Sequence, residues 1–162
     1  RSEDASGPYF EIKSTRCATD FSNNIRNNNG FLRRSRPDGT ADRRDMQFMQ
    51  NGRKVFKEVC PMAASHIEAH LEKHNITPAQ VKRWWLHQAN INMNTLICKR
   101  LLGRDATQQE APIVLDEYAN TASAGSVIAF GLHHQDLVSG DVGVLCSFGA
   151  GYSIGSLVVK KR

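Results

Sequence analysis

The sequence predicts an α/β fold, a mixed β-sheet with helices packed on it. Three observations carry that expectation. Strand-like and helix-like segments alternate along the chain in the order β-α-β-α-β-α-β-β. Apolar residues recur at helical spacing through the middle of the chain and crowd into strand-like runs near its C-terminus. The chain has 162 residues, 40% hydrophobic and 23% charged, enough for one domain with its own core.

Residues 9–15 alternate loosely and predict a strand. Residues 23–45 are polar and rich in Asn, Arg, Gly and Asp, with turn signals at Asn28-Asn29-Gly30 and Pro37-Asp38-Gly39. They read as a loop longer than the usual connection, the kind that is commonly functional or disordered. Residues 46–74 place Met46, Met49, Val55, Phe56, Val59, Met62, Ala63, Ile67 and Leu71 near one stripe of a helix, with a kink at Pro61. Lys73-His74-Asn75 supplies cations and a stop at its end. Thr77-Pro78-Ala79-Gln80 has the form of a capping box with proline at the first helical position, opening one short turn.

A strand is expected at residues 83–87 and a helix at 90–102, closed by Gly103. A short buried strand follows at 112–115. The next helix spans 121–137, and its many small residues point to close packing against a neighbour. After a turn at Gly140-Asp141, strands at 142–148 and 152–159 flank Gly149-Ala150-Gly151. No tandem repeat is present.

Composition narrows the function classes. No apolar run approaches the roughly 20 residues needed to span a bilayer, and no basic-then-apolar run opens the chain. The first residue is Arg1, which reads as a processed chain or a piece of a longer one. Cys17, Cys60, Cys98 and Cys146 are widely spaced, without a CxxC pair, and are expected to be reduced and mostly buried in a cytoplasmic protein. The net charge of +5 suits an acidic partner or a phosphate-bearing ligand. Nucleic acid is disfavoured, because the basic residues are scattered and not interleaved with aromatics.

His66, His70 and His74 recur at four-residue spacing but lack the glutamate placement of a zinc helix. They are read as solvent-facing, and no metal site is expected. His133-His134 complements the dipole at a helix end.

The chemistry is carried by two polar segments. His87-Gln88-Ala89-Asn90 follows the apolar run Trp84-Trp85-Leu86, and Asn120-Thr121-Ala122-Ser123 precedes a helix. Each puts a polar side chain where a strand or loop gives way to a helix. A histidine and an asparagine so held can donate hydrogen bonds to one developing oxyanion, often the largest single contribution in acyl transfer. Taken alone, His87 could be a satisfied core histidine, Asn120 a helix cap and Gly149-Ala150-Gly151 a plain hairpin turn.

Three ordered motifs, Trp85-Leu86-His87-Gln88-Ala89-Asn90, Asn120-Thr121-Ala122-Ser123-Ala124 and Phe148-Gly149-Ala150-Gly151-Tyr152-Ser153-Ile154-Gly155-Ser156, resemble the C-terminal half of β-ketoacyl-[acyl-carrier-protein] synthase III, a branch of the thiolase superfamily. Asn51-Gly52-Arg53-Lys54-Val55-Phe56-Lys57 resembles the family's glycine-led helix start. The resemblance divides the chain into residues 1–46, a connecting strand and polar excursion, and 47–162, the synthase C-terminal domain. It implies one half of an αβαβα sandwich whose other, N-terminal half carries a nucleophilic cysteine.

It also implies a reaction. The cysteine accepts an acyl group from a coenzyme A or carrier-protein thioester. A malonyl thioester then loses CO2, and the carbanion attacks the acyl-enzyme to give a 3-oxoacyl thioester. By resemblance His87 and Asn120 stabilise the enolate oxygen. Phe148 excludes water from the departing carboxylate. Gly149, Ala150 and Gly151 form the loop whose Ala150 N–H makes half of the acyl oxyanion hole, where some relatives have Gly. Asn90 and Gly52 contact the pantetheine arm, and Lys57, Lys99 and Arg100 face an acidic carrier protein. Arg53 and Asn92 depart from some relatives. No cofactor is implied beyond the thioester substrates, and the missing half, a carrier protein and a second copy in a homodimer are the implied partners, with neither nucleic acid nor membrane.

None of the four cysteines sits at a helix start among small residues, where the dipole favours thiolate. The chain is therefore expected to be inactive without the other half. Two other readings remain open at this point: a non-decarboxylating or ester-forming acyltransferase of the same fold, and a non-catalytic half-domain that docks carrier protein.

Overall fold

The structure is a computed structural model that describes residues 7–27 and 47–162. The turn signals at 28–30 and 37–39 lie outside the described residues. The elements are β1 (Phe10–Ser22), β2 (Ile25–Asn27), β3 (Phe48–Gln50), α1 (Gly52–Glu72), a 3-10 turn at Pro78–Gln80, β4 (Val81–Leu86), α2 (Ile91–Leu102), α3 (Leu115–Tyr118), α4 (Ala124–Leu132), β5 (Val142–Gly149) and β6 (Gly151–Lys161).

The main sheet has the order β1-β6-β5-β4. β1 and β5 run antiparallel to β6, and β4 runs parallel to β5, so the sheet is mixed as expected. Side chains alternate across it with period two. Trp84, Leu86, Val144, Cys146, Phe148, Ile154 and Val158 face α1 and α2 and build the larger core. Trp85, Leu145 and Val159 face the other way and pack with Ala129 of α4, Val114 and Leu137. α1 and α2 thus cover one face and α4 the other. No described helix is long and apolar enough to cross a membrane.

The helix ends follow local chemistry. Asn51 Oδ1 accepts from Lys54 N–H at 3.2 Å to start α1, and Asn75 takes a left-handed backbone (φ 55°) just beyond its end. Asn90 Oδ1 accepts from Asn92 N–H at 2.8 Å to start α2, and Gly103 closes it at φ 70°. The Thr77–Gln80 turn is held by Thr77 N–H donating to Gln80 Oε1 at 2.7 Å. His134 Nδ1 lies 2.8 Å from the Phe130 carbonyl, at the end of α4.

Several expectations are corrected. β1 extends seven residues past Thr15, because β6 offers a partner along its whole length. Part of the expected polar loop is a strand: Ile25–Asn27 pairs with Phe48–Gln50. The long helix therefore starts at Gly52, and Met49 belongs to β3.

Residues 112–115 form no strand. Their backbone is satisfied by a side chain instead, with Val114 N–H donating to Gln88 Oε1 at 3.1 Å and the Pro112 carbonyl accepting from Gln88 Nε2 at 3.3 Å. The helix expected from 121 to 137 shrinks to Ala124–Leu132, since the Asn120 side chain competes for the backbone before it. His66 and His70 do not face solvent: they are 5% and 1% exposed. Ser156 Oγ lies 3.0 Å from His66 Nε2 and 2.7 Å from His70 Nδ1, and Ser14 Oγ lies 2.9 Å from His70 Nε2.

Candidate active site

β4 delivers His87 to the edge of the core. Trp84, Trp85 and Leu86 are almost completely buried, so the strand end is rigid, and His87 itself is only 6% exposed. The next residue, Gln88, is fully buried and spans two segments. Its Nε2 donates to the Leu86 carbonyl at 2.9 Å and its Oε1 accepts from Val114 N–H. Asn90 then starts α2. His87 is fixed between a buried strand end and a capped helix.

Asn120 stands on the opposite loop. Ala119 and Ala122 on either side have left-handed backbones, at φ 52° and 54°, a conformation that costs a non-glycine residue about 1 kcal/mol or more. Asn120 Oδ1 accepts from Ala122 N–H at 3.0 Å. That bond occupies the amide oxygen, and Nδ2 donates no hydrogen bond among the described residues. The loop is seated on the histidine loop through α4. A Cβ on Gly125 would come within 2.7 Å of Gln88 Cβ, so only glycine allows this approach. Ser126 and Ser147 Oγ atoms, 2.7 Å apart, tie the start of α4 to β5.

The third component is the β5–β6 hairpin. Phe148 is 8% exposed, and its ring centroid lies 4.5 Å from that of His87 at an interplanar angle of 55°. Gly151 has φ 140°, and a Cβ there would come within 2.7 Å of Ser153 N, so the tight turn requires glycine.

These parts enclose a cavity of about 250 Å³. His87, Asn120, Phe148, Gly149 and Ala150 line it, and Ile25, Phe48, Val55, Val59 and Met93 form its apolar wall. Burial lowers the His87 pKa below the ordinary histidine value, opposed in part by the Ala122 backbone. The ring is therefore neutral at neutral pH. Its Nδ1 is buried and has no hydrogen-bond partner among the described residues. Burial also pushes the Cys60 thiol up to about 11 and those of Cys98 and Cys146 up to about 12, so none of the three is a thiolate near pH 7. Cys17 is exposed on β1 and outside the cavity lining. All four are free thiols. Among the described residues no group of three His, Cys, Asp or Glu is placed to hold a metal ion.

Comparison with known proteins converges on one family. Residues 71–161 match the family model for the 3-oxoacyl-[acyl-carrier-protein (ACP)] synthase III C terminal. The chain belongs to this family. It is 62% identical to a beta-ketodecanoyl-[acyl-carrier-protein] synthase of Pseudomonas aeruginosa over 94% of this chain and 43% of that protein. A beta-ketoacyl-[acyl-carrier-protein] synthase III of Lactiplantibacillus plantarum is 30% identical over 78% of this chain and 38% of its own length. A crystal structure of a 3-oxoacyl-(acyl-carrier-protein) synthase III superposes with a TM-score of 0.78 at 21% identity, over 92% of this chain and 47% of that one. The fold is thus one half of the thiolase-like sandwich, and the chain spans less than half the length of these relatives.

The remaining expected residues of this synthase III half lie outside the cavity. Asn90 is exposed, with its Oδ1 engaged in capping α2. Gly52 opens α1 and lines a separate surface hollow with Asn23, Asn24, Met49, Gln50 and Asn51. Lys57 is exposed on α1, and Lys99 and Arg100 are exposed on α2, which packs against α1. Lys99 lies 3.7 Å from Asp105, and the Arg100 charge is felt at Cys60 of α1. The sequence reading missed Gln88 as the brace of the site, and Ile25 and Phe48 as its wall. A glutamine set between His87 and Asn90 directly after an apolar run was the available signal for the first. The others depend on long-range pairing that no local pattern announces.

Proposed function

We propose that this chain is the C-terminal half of a decarboxylating condensing enzyme, in which His87 and Asn120 donate to the enolate oxygen of a malonyl thioester. The observation that carries the reading is the shared cavity. It gathers a neutral imidazole, an amide with uncommitted N–H groups, and a phenylalanine ring with the glycine loop that follows it, drawn from three segments remote in sequence. Placing the single imidazole proton on Nε2 avoids a buried Nδ1–H without an acceptor. Nε2–H and Asn120 Nδ2–H then share the developing negative charge as CO2 leaves. Phe148 keeps water from the carboxylate, and the Ala150 N–H donates to the acyl oxygen during carbon–carbon bond formation.

The acylated nucleophile comes from a cysteine-bearing N-terminal half, and this chain is inactive without it. The substrates are an acyl thioester of coenzyme A or carrier protein and a malonyl-carrier-protein thioester, with no bound cofactor. Asn90 and Gly52 lie along the approach of the pantetheine arm, and Lys57, Lys99 and Arg100 meet the acidic carrier. Residues 47–162 are the C-terminal domain, and the whole enzyme is a cytoplasmic homodimer of fatty-acid synthesis.

The test uses the enzyme with both halves. His87→Ala and Asn120→Ala are each expected to lower CO2 release from malonyl thioester by about 10²–10³-fold, the usual loss for one oxyanion donor. Release at the wild-type rate in His87→Ala would remove the assignment. Condensation without CO2 release would favour the non-decarboxylating reading.

A further inference from the structure

Two walls of the cavity are joined by a side chain that neither touches the substrate site nor belongs to any of the motifs above. Glu58 stands on the exposed side of α1. Its Oε2 accepts from the Tyr152 hydroxyl at 2.7 Å and from Asn24 Nδ2 at 2.8 Å. Tyr152 is 3% exposed and directly follows Gly151 in the glycine turn. A buried phenol needs a partner for its hydroxyl, and Glu58 supplies it. Asn24 precedes β2, and its carbonyl accepts from Asn51 N–H at 2.7 Å where β3 runs into α1. One carboxylate oxygen therefore ties the Gly149–Ala150–Gly151 turn to the β2–β3 strand pair that carries Ile25 and Phe48.

We infer that Glu58 is a positioning residue that fixes the Ala150 N–H relative to the opposite wall of the cavity. The inference rests on the proposed role of Ala150. The hydrogen bonds from Tyr152 and Asn24 hold the Glu58 carboxyl below its ordinary pKa, with Lys54 and Lys57 adding to the effect. The clamp is therefore charged at neutral pH, and hydrogen bonds to a charged acceptor are stronger than neutral ones. The turn it holds has no other anchor of this kind on the Tyr152 side chain among the described residues.

The experiment has two arms. In this chain, ¹⁵N relaxation reads the order of the turn. Glu58→Leu is expected to take the order parameters of Gly149, Ala150 and Gly151 from about 0.85 to below about 0.6, with Val144 in the middle of β5 unchanged. Glu58→Gln keeps an oxygen acceptor for both donors and is expected to preserve the wild-type values. In the enzyme with both halves, Glu58→Leu is expected to lower kcat per titrated active site by about tenfold, the equivalent of one good hydrogen bond, with KM for the malonyl thioester within about twofold, and Glu58→Gln to restore it.

Unchanged order in Glu58→Leu, or equal loss of order at Val144, would overturn the inference, as would Glu58→Gln behaving like Glu58→Leu. If the intact wild-type enzyme releases no CO2, the reaction assignment falls and the relaxation arm still decides the clamp.

Discussion

Individual residues in this protein differ mainly in whether their polar atoms are answered. Gln88 is fully buried and uses both ends of its amide, which lets it replace a strand ladder for residues 112–114. Asn94 is 2% exposed and its Oδ1 has no partner among the described residues, beside a cavity of about 200 Å³ lined by Thr95, Cys98 and Thr107. A buried carbonyl without a donor costs about 1–3 kcal/mol. Asn94→Leu keeps the branched shape, directs its extra volume into the adjoining cavity and removes the orphan. It is expected to stabilise the chain by about 1 kcal/mol, raising the midpoint of thermal unfolding by about 2–4 °C. A fall in the midpoint would mean that the amide has a partner in solution.

At the scale of elements, α1 shows what the sequence could and could not convey. Its apolar stripe is legible in the sequence, and the helix is there, with Asn51 as its cap. Its expected start was too early because Met49 falls in helical phase, whereas the pairing of β3 with β2 is decided by residues more than twenty positions away. His66 and His70 lie on the same face as Ala63, Ile67 and Leu71, so the stripe itself marked them as buried. Four-residue spacing is shared by a metal-binding helix face and a core stripe, and here it belongs to the core. The site motifs were legible for the converse reason: each is local, with its polar residue at a strand end or helix start.

The histidine pair gives α1 a pH dependence. Burial, followed by the charges of His74, His66, Arg16 and Lys73, lowers the His70 pKa from 6.5 to about 4, and burial with Arg16 lowers that of His66. Between those values the unfolded chain binds a proton that the folded one refuses. The contribution is complete above about pH 6.5 and declines as the pH falls toward 4. The urea midpoint is expected to drop across that window, and His70→Phe to flatten the drop. Equal slopes would show that carboxylates alone set the acid limit. Ser156→Ala leaves two imidazole nitrogens unanswered and is expected to cost about 2 kcal/mol at pH 7.

For the whole molecule, the two faces of the sheet are unequal. α1 and α2 cover one face thoroughly, but the helix on the other is α4, nine residues long, flanked by Val114 and Leu137, and its Val127 and Leu132 point outward at 59% and 44% exposure. Beside α4 run two open grooves of about 400 and 330 Å³, lined by small side chains such as Ala18, Ser123, Ala124, Ser147 and Gly155. An apolar, small-residue face of this kind suits a closely packed neighbour. The relatives supply the candidate, since this chain spans 43% of the Pseudomonas aeruginosa protein with which it shares 62% identity. The proposed occupant is the cysteine-bearing half, which would bring its nucleophile to Phe148 on the groove side. Val127→Asp puts a charge at the middle of that seam and touches nothing in either core. It is expected to weaken association with the separately expressed cysteine half by at least about tenfold, the cost of burying one poorly solvated charge being well above 1.4 kcal/mol. Circular dichroism and thermal unfolding of the chain alone should not change. Association of wild-type strength in Val127→Asp would place the seam elsewhere, and the open side of α4 would then need another explanation.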